Sequence, residues 1–281
     1  MINPEEAKQI ILESTEMLES VELNLIESTN RIASENILTK LDLPIWNNSS
    51  MDGFAFILPE NFDINDESIN KFIISGNLFP GDEYLPIVNK GEAIKIMTGA
   101  PMPPKANCVV PIENAKIIKN DDLEFVIFTK QPKISDYIRL KGSDFKKGEN
   151  IITVGQKIRP YDIAKLAANG INKIKVFPQP KISIIASGNE LINPGETLSA
   201  SSIYDSNSYS IASMIREAGG IPDIIGIAKD EISSIESNLR NAIDSDAIIC
   251  SAGVSVGDKD FIKEVVSEQG KINFWSVNIQ P

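Results

Sequence analysis

The stretch Lys181-Ile182-Ser183-Ile184-Ile185-Ala186-Ser187-Gly188-Asn189-Glu190 decides the fold. Its apolar, β-branched run is bounded by Pro180 and by Ser-Gly-Asn, the pattern of a strand buried on both faces, as a parallel sheet covered by helices requires. Toward the C-terminus the rhythm continues. Ser208–Ala218 has helical spacing and stops at Gly219-Gly220, Ile224–Ala228 reads as a strand, Ile232–Asp244 as a helix and Ala247–Ser251 as a strand. Phe261–Gln269 reads as a further helix and Phe274–Ile279 as a last strand. Alternation in this order predicts βαβ units around a parallel sheet.

Upstream, Pro178 and Pro180 mark a domain boundary at Val176–Pro180. From Asn47 to Tyr137 the texture is of short apolar runs separated by Gly, Pro, Asn and Asp: Phe54–Leu58, Lys71–Ser75, Ala93–Met97, Cys108–Ile112 and Glu124–Phe128. That pattern predicts a small β domain. Arg139–Val176 holds a polar turn, Gly142–Gly148, and a helix over Tyr161–Asn169 closed by Gly170 as a left-handed cap. At the N-terminus Ala7, Ile10, Ile11, Met17 and Leu18 follow helical spacing after Asn3-Pro4, and a second short helix is expected over Leu25–Ile37. Pro44 then forces Leu43 out of the helical region.

Composition narrows the chemistry. The 281 residues are 42% hydrophobic and 23% charged, which excludes disorder and low-complexity fibres. Twenty-seven Lys and Arg against 39 Asp and Glu leave a net charge of −12, so a whole-molecule basic field for nucleic acid or an anionic membrane is absent. Histidine is missing, which excludes Ser-His-Asp and Cys-His nucleophiles and histidine-ligated zinc. Cys108 and Cys250 sit in apolar runs as two buried, reduced thiols, which fits a cytoplasmic protein. Residues 1–20 lack a basic n-region and an uninterrupted apolar h-region, and no apolar run approaches the roughly 18 residues that span a bilayer.

In an open parallel sheet, ligands bind beyond the carboxyl ends of the strands. Two loops there stand out: Ser187-Gly188-Asn189-Glu190, and Ala252-Gly253-Val254-Ser255-Val256-Gly257-Asp258-Lys259-Asp260. The second reads either as a phosphate cradle before a helix or as a plain tight turn. It is neither a Walker A loop nor a G-x-G-x-x-G fingerprint. Glu190, Asp258 and Asp260 suit Mg²⁺ through oxygen, although helix capping accounts for Asp258 or Asp260 equally well and is the favoured reading of Asp205. In the β segment, Ser49–Ala55, Met97–Pro103 and Val109–Glu113 each set a polar residue against Gly or Pro at the end of an apolar run. Loops on rigid strands carry sites more often than cores do.

Together these stretches resemble the molybdopterin molybdenumtransferase family, MoeA and the related E domain of gephyrin. Leu43 through Ala55 is similar to its "lPpfdnSaMDGYA", Ile96 through Glu113 to "I-MTGAplPxGADaVvxxE", and Arg139 through Glu149 to "RxxGeDxxkGe". Ala186 through Leu191 is similar to "sTGdEL", Ile203 through Asn207 to "iyDsN", and Cys250 through Asp260 to "tsGGvSvGdxD".

The resemblance implies a multidomain α+β and α/β protein. Its parts would be an elongated helical linker domain from residues 1–43 and 139–176, an inserted β domain at 44–138, and an incomplete molybdopterin-binding α/β domain at 177–281. A C-terminal β domain of the family would lie beyond the chain. It further implies that adenylylated molybdopterin and molybdate are bound and, with Mg²⁺, molybdenum is inserted as AMP is released. Homodimers are implied, with the site between the α/β domain of one subunit and the β domain of the other, as is contact with the adenylyltransferase of the same pathway. Carried over by motif, Asp52, Thr98, Asp144, Glu190, Asp230 and Asp260 are the residues implied in catalysis, with Glu190 and Asp260 at the metal. Ser187, Gly188, Gly253, Ser255, Gly257 and Lys259 are implied in binding.

Departures are specific. Asn189 replaces an acid, Ala252 a glycine, Asn107 the Asp of "GAD" and Lys105 its Gly, while Ser276 and Gln280 stand where some members carry lysines. An adenylyltransferase would share the α/β domain, but Met51-Asp52-Gly53 in an inserted β domain speaks against it. A non-catalytic scaffold of the same fold is disfavoured by the presence of Asp52 and Glu190.

Overall fold

Strand Lys181–Ser187 lies at the centre of a three-stranded parallel sheet, between Ile221–Ala228 and Ala247–Ser251. The protein is described by a computed structural model at residues 1–120, 123–251, 262, 265–267 and 270–279. It divides into two compact units, Met1–Glu35 with Val154–Arg159 and Lys173–Pro281, and Asn36–Thr153 with Pro160–Asn172.

In the first unit, register pairs Ile184 with Ile224 on one side and Ile249 on the other. Burial of Ile184, Ile185 and Ala186 is complete or nearly so, as a central parallel strand requires. Ile185, Ala228, Ile235, Ala242, Ile262 and Val265 form one core, in which helix Ile232–Asn241 supplies Ile235. A further helix, Asn207–Ala218, starts where Asp205 accepts a hydrogen bond from the Ser208 N–H at 3.0 Å, so Asp205 is a capping residue. Beside these elements an antiparallel sheet places Lys173–Phe177 between Val21–Asn24 and Ile32–Ala33.

The second unit is built on a six-stranded sheet in the order Cys108–Pro111, Gly53–Phe56, Glu92–Ile96, Phe72–Leu78, Leu123–Phe128 and Ala115–Asn120. Gly53–Phe56 is buried on both faces. Phe54 and Phe56 pack with Phe72 and Phe128 on one side, ring centroids of Phe56 and Phe128 being 4.6 Å apart, while Ala55 packs with Leu78, Ile94 and Val109 on the other. Ala115–Asn120 is an edge strand that the apolar pattern did not mark, because Lys116, Lys119 and Asn120 give it the polar character of exposed edges. Helix Pro160–Ala168 ends at Gly170 with φ of 70°, the expected cap.

Three expectations are corrected. The opening helix stops at Ser14, leaving Met17 and Leu18 outside it. The helix expected over Leu25–Ile37 is a turn followed by strands Ile32–Ala33 and Ile37–Leu38. Its backbone donors go elsewhere: Asn30, at φ of 66°, donates to Ile158 and Ala33 donates to Gln156. A left-handed residue and two long-range acceptors replace the i→i−4 ladder. Phe274–Ile279 is not a strand of the parallel sheet; Val277 makes an isolated bridge with Ile2, whose carbonyl accepts from the Asn278 N–H. Residues 1–43 and 139–176 thus hold two helices among short strands, more sheet than a helical domain implies.

Candidate active site

The antiparallel register of the second unit sets Gly53 opposite Ile96 and Pro111. Asp52 therefore falls beside the Met97–Ala100 turn, and its Oδ1 accepts from both the Thr98 N–H and the Thr98 hydroxyl, each at 2.7 Å. Those two bonds, the N–H first, hold the exposed Asp52 carboxyl below the usual aspartate range against a smaller opposing effect of burial. Asp52 is thus an ionised acceptor at neutral pH. Its position depends on Gly53, where a Cβ would stand 2.1 Å from the Val110 carbonyl oxygen and 2.9 Å from Pro111 Cα. Nothing but glycine lets the two strands approach so closely.

Asp144 has a different partner. Arg139 lies across from Asn48 in a short antiparallel pair, and its guanidinium donates to Asp144 Oδ2 at 2.7 Å, both side chains being about half exposed. The Ser143 hydroxyl reaches Asp144 Oδ1 at 3.3 Å. Arg139 fixes the orientation of a carboxylate in solvent, where such a pair adds little stability.

At the carboxyl end of the parallel sheet, Ser187 is level with Ala228, so the loops after both strands emerge together. Asp230 accepts from the Ser187 hydroxyl at 3.2 Å and from the Asn189 N–H at 3.4 Å, while the Asp230 N–H donates to Asn189 Oδ1 at 3.3 Å. Asn189 accordingly bonds its neighbour without adding a third charge beside Asp230 and Glu190. The Glu190 carboxylate folds over Gly188, where a Cβ would lie 2.8 Å from both carboxylate oxygens, and Gly188 itself has φ of 153°. Ser187, Gly188, Glu190 and Asp230 are thereby gathered at one sheet end. Gly253, Ser255, Gly257, Lys259 and Asp260 lie outside the described residues.

Other departures have structural accounts. Asn107 Oδ1 accepts from the Leu58 N–H at 2.8 Å, an acceptor's task that needs no charge. Lys105 stands at φ of 72°, in the left-handed region where the resembled family has glycine. Cys108 is buried and Cys250 partly so, both unpaired; burial pushes the Cys108 thiol up to about 12, with the Asp136 charge adding to it, and raises Cys250. Neither is a thiolate nucleophile. The sequence alone assigns no role to Asn189 or Arg139 as partners of the site acids; their polar side chains near the motif acids are the available signal.

Residues 2–170 match the family described as "MoeA N-terminal region (domain I and II)", and residues 183–281 match the "probable molybdopterin binding domain". Those two matches, one on each side of the Pro178–Pro180 segment, define the class: a chain made of the MoeA N-terminal region followed by a molybdopterin-binding domain. The chain is 31% identical to the molybdopterin molybdenumtransferase of Haemophilus influenzae over 283 aligned positions, covering 100% of this chain and 68% of that protein. It is 30% identical to the molybdopterin molybdenumtransferase of a Nostoc species, covering 92% of this chain and 59% of the relative. The crystal structure of a molybdopterin biosynthesis MoeA protein from Pyrococcus horikoshii superposes with a TM-score of 0.82 at 28% identity, covering all of this chain and 70% of that one. This chain belongs to the molybdopterin molybdenumtransferase family, and it spans about 59–68% of the length of the two curated relatives.

Proposed function

We propose that this chain carries the greater part of an enzyme that inserts molybdenum from molybdate into adenylylated molybdopterin and releases AMP. The observation that carries this reading is the meeting of Ser187, Asn189, Glu190 and Asp230 at the carboxyl end of the parallel sheet, where two carboxylates can hold a cation that in turn meets a phosphate. Asp52, kept ionised by Thr98, accepts a hydrogen bond or a proton from the substrate side. Arg139 and Lys141 bring positive charge to an otherwise acidic protein, and Arg139 holds Asp144 in place.

Mg²⁺ fits the donor set. It takes oxygen ligands and is commonly held by one or two carboxylates together with substrate phosphates. Glu190 would hold it beside Asp230, with Asp260 as the further oxygen ligand that the motif implies. When bound, the ion neutralises developing charge on the phosphoanhydride and orients it. Cleavage of a phosphoanhydride requires such charge neutralisation and orientation more than a histidine base, so the lack of histidine is no obstacle.

The remaining parts of the reading are a homodimer, the domain division 1–43 with 139–176, 44–138 and 177–281, contact with the adenylyltransferase, and a cytoplasmic location. Among the described residues no helix is long and apolar enough to cross a membrane. The test measures AMP release from adenylylated molybdopterin with and without molybdate, by this chain and by one extended to the relatives' full length. Molybdate-dependent release by the extended chain is expected. Its absence there would overturn the reading.

A further inference from the structure

Ser49 is 1% exposed and bonds in two directions. Its backbone N–H donates to the Ala100 carbonyl at 3.0 Å and its carbonyl accepts from the Gly99 N–H at 2.8 Å, so the main chain of Ser49 grips the turn that carries Thr98. Its hydroxyl donates to the Met51 carbonyl at 2.6 Å and accepts from the Met51 N–H at 3.3 Å, so the side chain grips the turn that carries Asp52. One residue thus joins both halves of the Asp52–Thr98 contact.

Flanking anchors are main-chain or lie to either side. The Ile112 N–H donates to the Asp52 carbonyl at 2.9 Å, and the Ser50 N–H and hydroxyl both donate to the Tyr137 carbonyl, at 2.9 and 3.0 Å. Tyr137 itself is held at φ of 55°, a conformation uncommon for an aromatic residue. Met51 sits between these anchors, and the Ser49 hydroxyl satisfies both its polar groups. Removing a buried hydroxyl leaves such groups to find water or move, and moving them tilts the next residue, Asp52.

We propose that Ser49 is a positioning residue that sets the Asp52 carboxylate against Thr98, acting through the Met51 peptide without touching substrate. Its effect on turnover rests on the proposed function, whereas its effect on Asp52 does not. The general reason is that a catalytic group displaced by a fraction of an ångström loses much of its benefit, and supporting side chains set that tolerance.

The experiment follows the Asp52 carboxyl by carbon NMR in residues 1–281, in the wild type, Ser49→Ala and Ser49→Cys. Asp66 serves as an internal control, since the hydroxyl and N–H of Ser68 hold its carboxyl low by a separate pair of bonds. In Ser49→Ala the Asp52 midpoint should rise by about half a pH unit or more toward the ordinary aspartate value, with Asp66 unmoved. Ser49→Cys, similar in shape and a weaker hydrogen-bonding group, should give a smaller rise, and it decides the matter if the alanine variant does not fold. An unchanged Asp52 midpoint in the folded variants, even with a lowered melting temperature, would make Ser49 a residue of the fold alone and overturn the proposal. An Asp52 shift together with unaltered AMP release by the extended chain would uphold the positioning role and count instead against the part that the proposed function gives to Asp52.

Discussion

The Asp52 carboxylate and the Thr98 side chain and backbone form a closed pair, with the same oxygen, Oδ1, accepting both Thr98 donors at 2.7 Å. Forty-six positions separate the two residues in sequence. They meet because Gly53 pairs with Ile96, which fixes what lies just beyond the end of each strand.

Thr98→Val removes one of the two donors and keeps the N–H, so the Asp52 carboxyl should titrate higher than in the wild type and still below an ordinary aspartate. Because the folded-state value is lowered, these bonds stabilise the fold in full above the unfolded-state value and lose that effect as pH falls through the folded-state one. The stability difference between wild type and Thr98→Val should therefore shrink on acidification below about pH 4, as read from urea midpoints. A difference that stays constant into strong acid would show that Asp52 is not the group involved.

Gly53→Ala places a methyl group 2.1 Å from the Val110 carbonyl oxygen, and the neighbouring atoms it meets are all backbone. The strands must part, and a loss of about 2–4 kcal/mol is expected in denaturant unfolding. Wild-type stability in this variant would mean that the strand pair is looser than described.

Lys105→Gly should stabilise. The exposed lysine occupies φ of 72°, which costs an L-residue about 1–2 kcal/mol, partly offset by the added freedom of glycine in the unfolded chain. A net gain of about 0.5–1 kcal/mol follows. Destabilisation would point to a contact of the lysine side chain that outweighs the backbone.

On the proposed function, Glu190→Gln and Asp230→Asn in the extended chain should each lower AMP release by at least ~10², about 2.7 kcal/mol of barrier, most visibly at limiting Mg²⁺. Unaltered rates in both would remove this loop cluster from the chemistry.

The proposed homodimeric site predicts complementation: an Asp52→Ala protein mixed with a Glu190→Ala protein should recover part of the activity that each lacks. Failure to recover despite proven subunit exchange would assign both residues to sites formed within one chain.

Local pattern carried the α/β rhythm far. Strand Ala247–Ser251 is observed with the bounds its apolar run indicates, and Asp205 caps helix Asn207–Ala218, as a short acceptor before helical spacing should. The spacing of Leu25–Ile37 suits either period, and the decision falls to acceptors at Gln156 and Ile158, more than a hundred residues away. Phe274–Ile279 is similar: an apolar run states a tendency to be buried, and pairing with Ile2 decided how.

What the sequence determined by itself was the alternation that makes a parallel sheet, the exclusion of histidine chemistry, and the motifs whose resemblance to a family points to Asp52, Thr98, Asp144, Glu190 and Asp230. Tertiary structure decided which of those residues touch. Ser187 and Asp230, 43 positions apart, share a hydrogen bond because parallel register levels Ser187 with Ala228; Asp144 instead turns to Arg139. Register is a property of paired backbones, set by every side chain that must be buried along both strands at once, and so it is absent from any single run of residues.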